Sequence, residues 1–153
     1  MPANGTNERV SYKSLYKHGV DEKRRVQIPA KWRSNQDAAY SVILWRMEGQ
    51  TFPCLLVLPP RTAEKLEEKL EEMPFGDPQA ESLRRVLGAN SDDVAIDRAG
   101  RICLPDGLAK KAGIAGEAIL VGLWDRFQIW NPEFYEQVES VDQAHESAAK
   151  KMI

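Results

Sequence analysis

Apolar residues fall along this chain in short bursts separated by polar stretches and by Gly or Pro. Ser41 to Trp45, Leu55 to Pro60, Ala118 to Trp124 and Phe127 to Pro132 each read as a buried strand or strand pair bounded by breakers. Between and after them the period lengthens to that of a helix. Pro60 opens a segment with Ala63, Leu66, Leu70 and Met73 on one face, while Glu67, Glu68, Lys69, Glu71 and Glu72 lie elsewhere. Pro74 and Gly76 stop it, and Asp77-Pro78 starts a shorter helix with Ala80, Leu83, Val86 and Leu87 on its apolar side. Asn131-Pro132 supplies an N-cap and a first-turn proline for a last helix, in which Phe134, Val138, Val141, His145 and Ala148 share a face.

The pattern occurs twice. Asp21-Glu-Lys-Arg-Arg25-Val-Gln-Ile-Pro29 lies over Asp97-Arg-Ala-Gly-Arg101-Ile-Cys-Leu-Pro105 at a shift of 76 residues, with Asp, Arg and Pro coincident and the apolar positions matched. The flanks agree: Val20 answers Ile96, Trp32 answers Leu108, and each copy leads into two apolar runs and a helix. A period of 76 exceeds the roughly 20 to 50 residues of solenoid repeats, so two similar small units in tandem are expected. The expected boundaries are an N-terminal arm over 1–11, a first unit over 12–62, a helical connector over 63–90, a second unit over 91–135 and a C-terminal helix over 136–153.

Each repeat begins with hairpin chemistry. In Ile96-Asp97-Arg98-Ala99-Gly100-Arg101-Ile102 the aspartate suits the first turn position, where its carboxylate accepts from amides just ahead. Glycine suits the fourth, where φ is often positive. Arg98 then lies near the tip, and Arg101 enters the outgoing strand four residues beyond an aspartate able to orient its guanidinium. Such a guanidinium can read guanine or grip phosphate, or it can simply staple the turn. The first copy has Arg24 where the second has Gly100, which predicts a left-handed arginine costing about 1 kcal/mol. On sequence grounds Arg24→Gly should therefore stabilise the fold while weakening polyanion binding. Pro29 and Pro105 are expected to end the outgoing strands and occupy the first position of a helical turn.

Charge sharpens the picture. Net charge is −2, yet residues 1–40 carry eight Lys or Arg against four Asp or Glu, and the remainder carry 13 against 19. A basic end on an acidic body suits a localised contact with a polyanion and argues against unspecific nucleic-acid coating. Lys23, Arg24 and Arg25 are consecutive, with Lys17, Lys31 and Arg33 nearby. Cys54 and Cys103 stand alone in apolar runs and read as buried free thiols. No apolar run approaches the roughly 20 residues of a spanning helix, and the polar Met1 to Arg9 lacks a signal-like core, which predicts a cytoplasmic protein. There is no Gly-rich phosphate loop and no nucleophile elbow; His18 and His145 lack metal or triad spacing, and Asp92 and Asp93 read as turn or strand-entry residues. Neither an enzyme nor a cofactor is expected.

These residues resemble the paired signatures of the MraZ family of bacterial transcriptional regulators, over about residues 12 to 150. Tyr12, Tyr16, His18 and the Trp124 to Trp130 segment fit the same pattern, whereas Arg24 and the N-terminal arm depart from it. The resemblance implies an α+β chain with two tandem AbrB-like swapped-hairpin β-barrel halves in one pseudo-symmetric unit, helices following each half, assembled into a ring-shaped homo-oligomer. It also implies binding to direct repeats in double-stranded DNA, in the promoter of the family's own division and wall operon. Asp21, Arg25, Asp97 and Arg101 are the positions it assigns to DNA binding; Lys23, Arg24 and Arg98 join them on charge and turn position. A nucleoid association follows, with no membrane or small-molecule partner. The alternatives are a protein-binding barrel acting through its acidic helices and an antitoxin-like DNA binder, though the latter usually has one barrel and a disordered tail.

Overall fold

A computed structural model describes residues 10–33 and 39–153; the first nine residues of the expected arm lie outside the described residues. The first series of elements is β1 (Leu15–Gly19), β2 (Arg25–Gln27), a 3-10 turn (Ala30–Trp32), β3 (Ala39–Trp45), β4 (Cys54–Leu58) and α1 (Pro60–Glu72). Helix α2 (Pro78–Ala89) connects it to the second: β5 (Ser91–Ala95), β6 (Arg101–Cys103), α3 (Asp106–Lys111), β7 (Glu117–Gly122), β8 (Phe127–Trp130) and α4 (Pro132–Asp142). A 3-10 turn (Gln143–His145) and α5 (Glu146–Lys150) follow. β1 and β5 begin 76 residues apart, as do β2 and β6.

The fold is α+β, with an antiparallel sheet of six strands in the order β1-β7-β8-β4-β3-β5 and a two-stranded ladder of β2 and β6. Exchanging the two halves maps this order onto its own reverse. Each half's first strand pairs with the other half's third: Leu15 faces Val121 and Gly19 faces Glu117, while Ala39 faces Ala95 and Ile43 faces Ser91. β4 and β8 meet at the centre, with Leu56 opposite Gln128.

One face of the sheet folds over a shared core that draws on both halves, including Val26, Ile28, Trp32, Tyr40, Val42, Val57, Ile102, Leu104, Leu120 and Phe127. Trp32 stands edge-on to Tyr12 and Tyr16, and its indole N–H donates to the Lys13 carbonyl at 2.9 Å. On the other face α1 covers Ile43, Leu56 and Leu58 through Ala63 and Leu66. α4 covers Cys54, Ile119 and Trp130 through Phe134, Tyr135 and Val138. Asn131 caps α4 by accepting from the amides of Glu133 and Phe134.

Four expectations need correction. The last helix packs only through its first turns: Val141 is 55% exposed and His145 and Ala148 are exposed, because they extend past the β7 and β8 side chains that α4 covers. α2 buries Ala80 but leaves Leu83 and Val86 open to solvent. Pro29 and Pro105 stand one residue before their helical turns, as N-caps whose carbonyls accept from Trp32 and Ala109 at 2.9 Å. Cys54 is buried, and burial pushes its thiol pKa up to about 12. Cys103 is exposed, contrary to the sequence pattern, since the two-residue period turns its neighbour Ile102 inward.

Gly122 tests the close junction between residues 12–14 and β7. An added Cβ would lie 2.7 Å from the Lys13 nitrogen, with the Tyr12 carbonyl nearer still, and backbone cannot yield as a side chain can. Gly122→Ala should cost more than about 2 kcal/mol, whereas Gly116→Ala, with open space around it, should stay within about 0.5 kcal/mol. Urea midpoints of the two variants check this.

Candidate nucleic-acid interface

The repeated Asp-x-x-x-Arg segments fold into matching turns. Asp21 Oδ1 accepts from the amides of Lys23 and Arg25 at 2.9 and 2.8 Å, and Asp97 Oδ1 from those of Ala99 and Arg101 at 2.9 Å each. The Arg24 and Gly100 amides close the turns onto the Asp21 and Asp97 carbonyls at 2.9 and 3.0 Å. Both fourth positions are left-handed, with φ of +61° at Arg24 and +83° at Gly100. The other carboxylate oxygen orients the arginine: Arg25 Nε donates to Asp21 Oδ2 at 2.7 Å, and Arg101 Nε to Asp97 Oδ2 at 3.1 Å.

The fold sets these turns side by side. In the β2–β6 ladder Arg25 faces Cys103, Val26 faces Ile102 and Gln27 faces Arg101. Val26 and Ile102 point into the core at 0% exposure, so the alternation of the strands puts Arg25, Gln27, Arg101 and Cys103 on the outward face. Each turn is also tied to the other half's outgoing strand: Ile28 N donates to Gly100 O and Leu104 N to Arg24 O, both at 2.8 Å. The two arginines therefore sit on a diagonal of one ribbon, their Cα atoms about 7–8 Å apart. Their side chains are 33% exposed, and among the described residues the Arg25 Nη atoms have no hydrogen-bond partner.

Lys23 and Arg98 are exposed at the tips. Residues 21–25 and 97–101 together hold five cations and three acids, so the acidic chain presents a cationic face here. Arg24 is placed differently from its turn-mates. Its Nε donates to the Leu104 carbonyl at 3.0 Å and its Nη1 lies 3.8 Å from Asp106 Oδ1, which binds it to the other half. Gln27, which sequence reasoning passed over, and Arg33, noted there only as a nearby cation, complete the cross-links. Gln27 Nε2 donates to the Ala99 carbonyl at 3.0 Å, and the Arg33 guanidinium lies over Gly100, where an added Cβ would come within 2.7 Å of Cζ. The position of Gln27, two residues past Arg25 and thus on the same face, was the available signal. The residue 76 on from Arg33 is Ala109, a small side chain in the place that corresponds to a full-length arginine.

A family model described as "MraZ protein, putative antitoxin-like" matches residues 87–152. The Transcriptional regulator MraZ of Clostridium tetani is 32% identical over 137 residues, covering 90% of this chain and 93% of the relative. The chain belongs to the MraZ family. The MraZ regulator of Herpetosiphon aurantiacus is 35% identical over 80% of this chain and 82% of its own length, and that of Leuconostoc citreum 34% over 79% and 81%. Among the described residues no group of His, Cys, Asp and Glu is arranged to hold a metal ion, and no helix is long and apolar enough to cross a membrane.

The contacts of Arg24 revise the substitution expected from sequence alone. Glycine would relieve the left-handed strain but lose the bond to Leu104, so Arg24→Gly should fall within about 1 kcal/mol of the parent. Arg24→Ala keeps the strain and loses the same bond, and should melt lower than Arg24→Gly by an amount worth about 1 kcal/mol. Thermal unfolding of the pair measures the difference.

The turn carboxylates give a pH signature. Hydrogen bonds from the Arg25 and Arg101 amides, joined by the guanidinium groups, hold the Asp21 and Asp97 pKa values below the ordinary 3.8. With the folded pKa lowered, their contribution to stability is complete above that value and drains away as pH falls through the folded pKa. Between about pH 5 and pH 2 the parent should therefore lose stability more steeply than the Asp21→Asn, Asp97→Asn double variant, as read from urea midpoints across that range.

Proposed function

We propose that this chain is a sequence-specific DNA-binding transcriptional regulator, acting on direct repeats in the promoter of its own division and wall operon, in the cytoplasm and on the nucleoid. The observation that carries this reading is the pairing of two cationic turns on one outward ribbon, with Arg25 and Arg101 each oriented by an aspartate. A two-stranded ribbon has the width of the major groove, and an oriented guanidinium suits the O6 and N7 acceptors of guanine. The names of the relatives support a regulator and, with it, a non-enzyme. In this reading Asp21, Lys23, Arg25, Asp97, Arg98 and Arg101 form the contact face, and Arg24 adds charge while bracing the turn.

The exchange of β1 and β5 between halves supports reading the chain as two swapped-hairpin, AbrB-like units, over 12–62 and 91–135, joined by the 63–90 connector. A ring of such chains would multiply the face. One pair of turns offers few phosphate contacts and strong salt dependence, whereas linked copies matched to repeated sites gain orders of magnitude. The open apolar side chains Leu83 and Val86 on α2 and Val141 on α4 support self-association.

Titration against duplexes from the protein's own upstream region, with the repeats intact or scrambled and at two salt concentrations, tests the proposal. Repeat-dependent binding is expected, and Arg25→Ala should weaken it roughly 5- to 150-fold per engaged subunit, an Arg–guanine contact being worth about 1–3 kcal/mol, with little change in melting temperature. Equal affinity for scrambled duplex, or no binding at low salt, would refute it.

A further inference from the structure

The two aspartates do unequal work. In each turn Oδ1 is taken up by backbone amides, which leaves Oδ2 as the oxygen that faces guanidinium groups. Asp97 Oδ2 meets Arg101 at 3.1 Å. Asp21 Oδ2 meets Arg25 at 2.7 Å and also stands 4.0 Å from Arg101 Nη1, across the boundary between halves. Among the described residues no corresponding ion pair joins Asp97 to Arg25. Arg101 is thus hydrogen-bonded along one edge to Asp97 and lies at ion-pair distance from Asp21 along another, whereas Arg25 meets the single carboxylate that is shared.

Resting on the DNA-binding reading above, we propose that Asp21 is a positioning residue for both arginines, so that the two halves of the face are set as one unit through its Oδ2. The groups involved are about a third exposed, and water screens a 4.0 Å pair between such groups strongly. Its effect on stability is correspondingly small, and its effect on orientation is what matters. An arginine hydrogen-bonded at Nε, with a carboxylate drawing on its Nη1, keeps its outward donors aimed, and bidentate pairing with a planar acceptor depends on that aim. Losing Asp21 should therefore cost discrimination on both sides of the ribbon, while the loss of one negative charge raises the attraction for any duplex.

Asp21→Asn and Asp97→Asn, each in the parent and in an Arg101→Ala background, form the test. Asparagine keeps an oxygen for the turn amides and removes the charge that faces the guanidinium groups. Affinity is measured for the repeat duplex and for a scrambled one, with melting temperature alongside. In the parent, Asp21→Asn should reduce the repeat-to-scrambled affinity ratio about tenfold and Asp97→Asn about threefold, with scrambled-duplex affinity rising in both. In the Arg101→Ala background the effect of Asp21→Asn should shrink to about threefold and that of Asp97→Asn should vanish. An undiminished effect of Asp21→Asn without Arg101, in a protein whose parent discriminates the duplexes, overturns the inference alone. A parent that does not discriminate overturns the DNA-binding reading and this inference with it. Should Asp21→Asn melt well below Asp97→Asn, Arg101→Lys decides: it keeps the charge but lacks the fork, so the effect of Asp21→Asn in that background should again shrink to about threefold.

Discussion

Three residue pairs hold the molecule's two halves to each other at the point where its charge is concentrated. The β2–β6 ladder is only as long as Arg25 to Gln27, yet Val26 and Ile102 beneath it are removed from water completely. An isolated two-stranded hairpin is marginal in water, and a turn at its tip would wander. Here the ladder rests on a core shared by both halves, and the Ile28 and Leu104 amides lock each turn to the opposite strand. The arginines can be presented to solvent because what lies below them is fixed.

The pseudo-symmetry is imperfect in a way that packing explains. Gly100 lies beneath the Arg33 guanidinium at a φ of +83°, and a side chain there would be strained and would displace the ends of Arg33 and Gln27. Its counterpart Arg24 carries a full side chain at positive φ, and the counterpart of Arg33 is Ala109. At one turn the bulk thus comes from the segment after β2 and at the other from the turn itself, and both arginines belong to the first half. The left-handed cost at Arg24 is offset by a hydrogen bond to Leu104 and proximity to Asp106. The bulk was moved rather than lost.

Local features of this arrangement were legible in the sequence. The 76-residue shift, the aspartate-anchored turns, the positive φ at Arg24 and the Asn131 cap all follow from residues within a few positions of each other. What was not legible depends on partners far along the chain. Nothing near Tyr16 names Leu120 as its neighbour, and nothing near Arg24 announces Leu104. Cys103 misled because a three-residue strand offers too few positions to tell an inward from an outward phase. The last helix misled in another way: apolar spacing marks a face able to be covered, and whether anything covers Val141 is decided by where the sheet stops. The charged residues of the two turns were legible because their chemistry is local, whereas their placement side by side comes from the long-range pairing.

That pairing has a consequence for how the polypeptide comes into being. β1 leaves a ribosome roughly a hundred residues ahead of its sheet partner, β7. Until Glu117 to Gly122 have been made, the first edge strand has no neighbour on the sheet, and β3 likewise waits for β5. Neither half can reach its final hydrogen bonding during synthesis of that half alone. Contacts so distant in sequence slow the search for the native state, and they leave unpaired strands open to other nascent chains meanwhile. Interlocking gives the cationic ribbon its rigidity, and it also ties maturation of the first half to synthesis of the second.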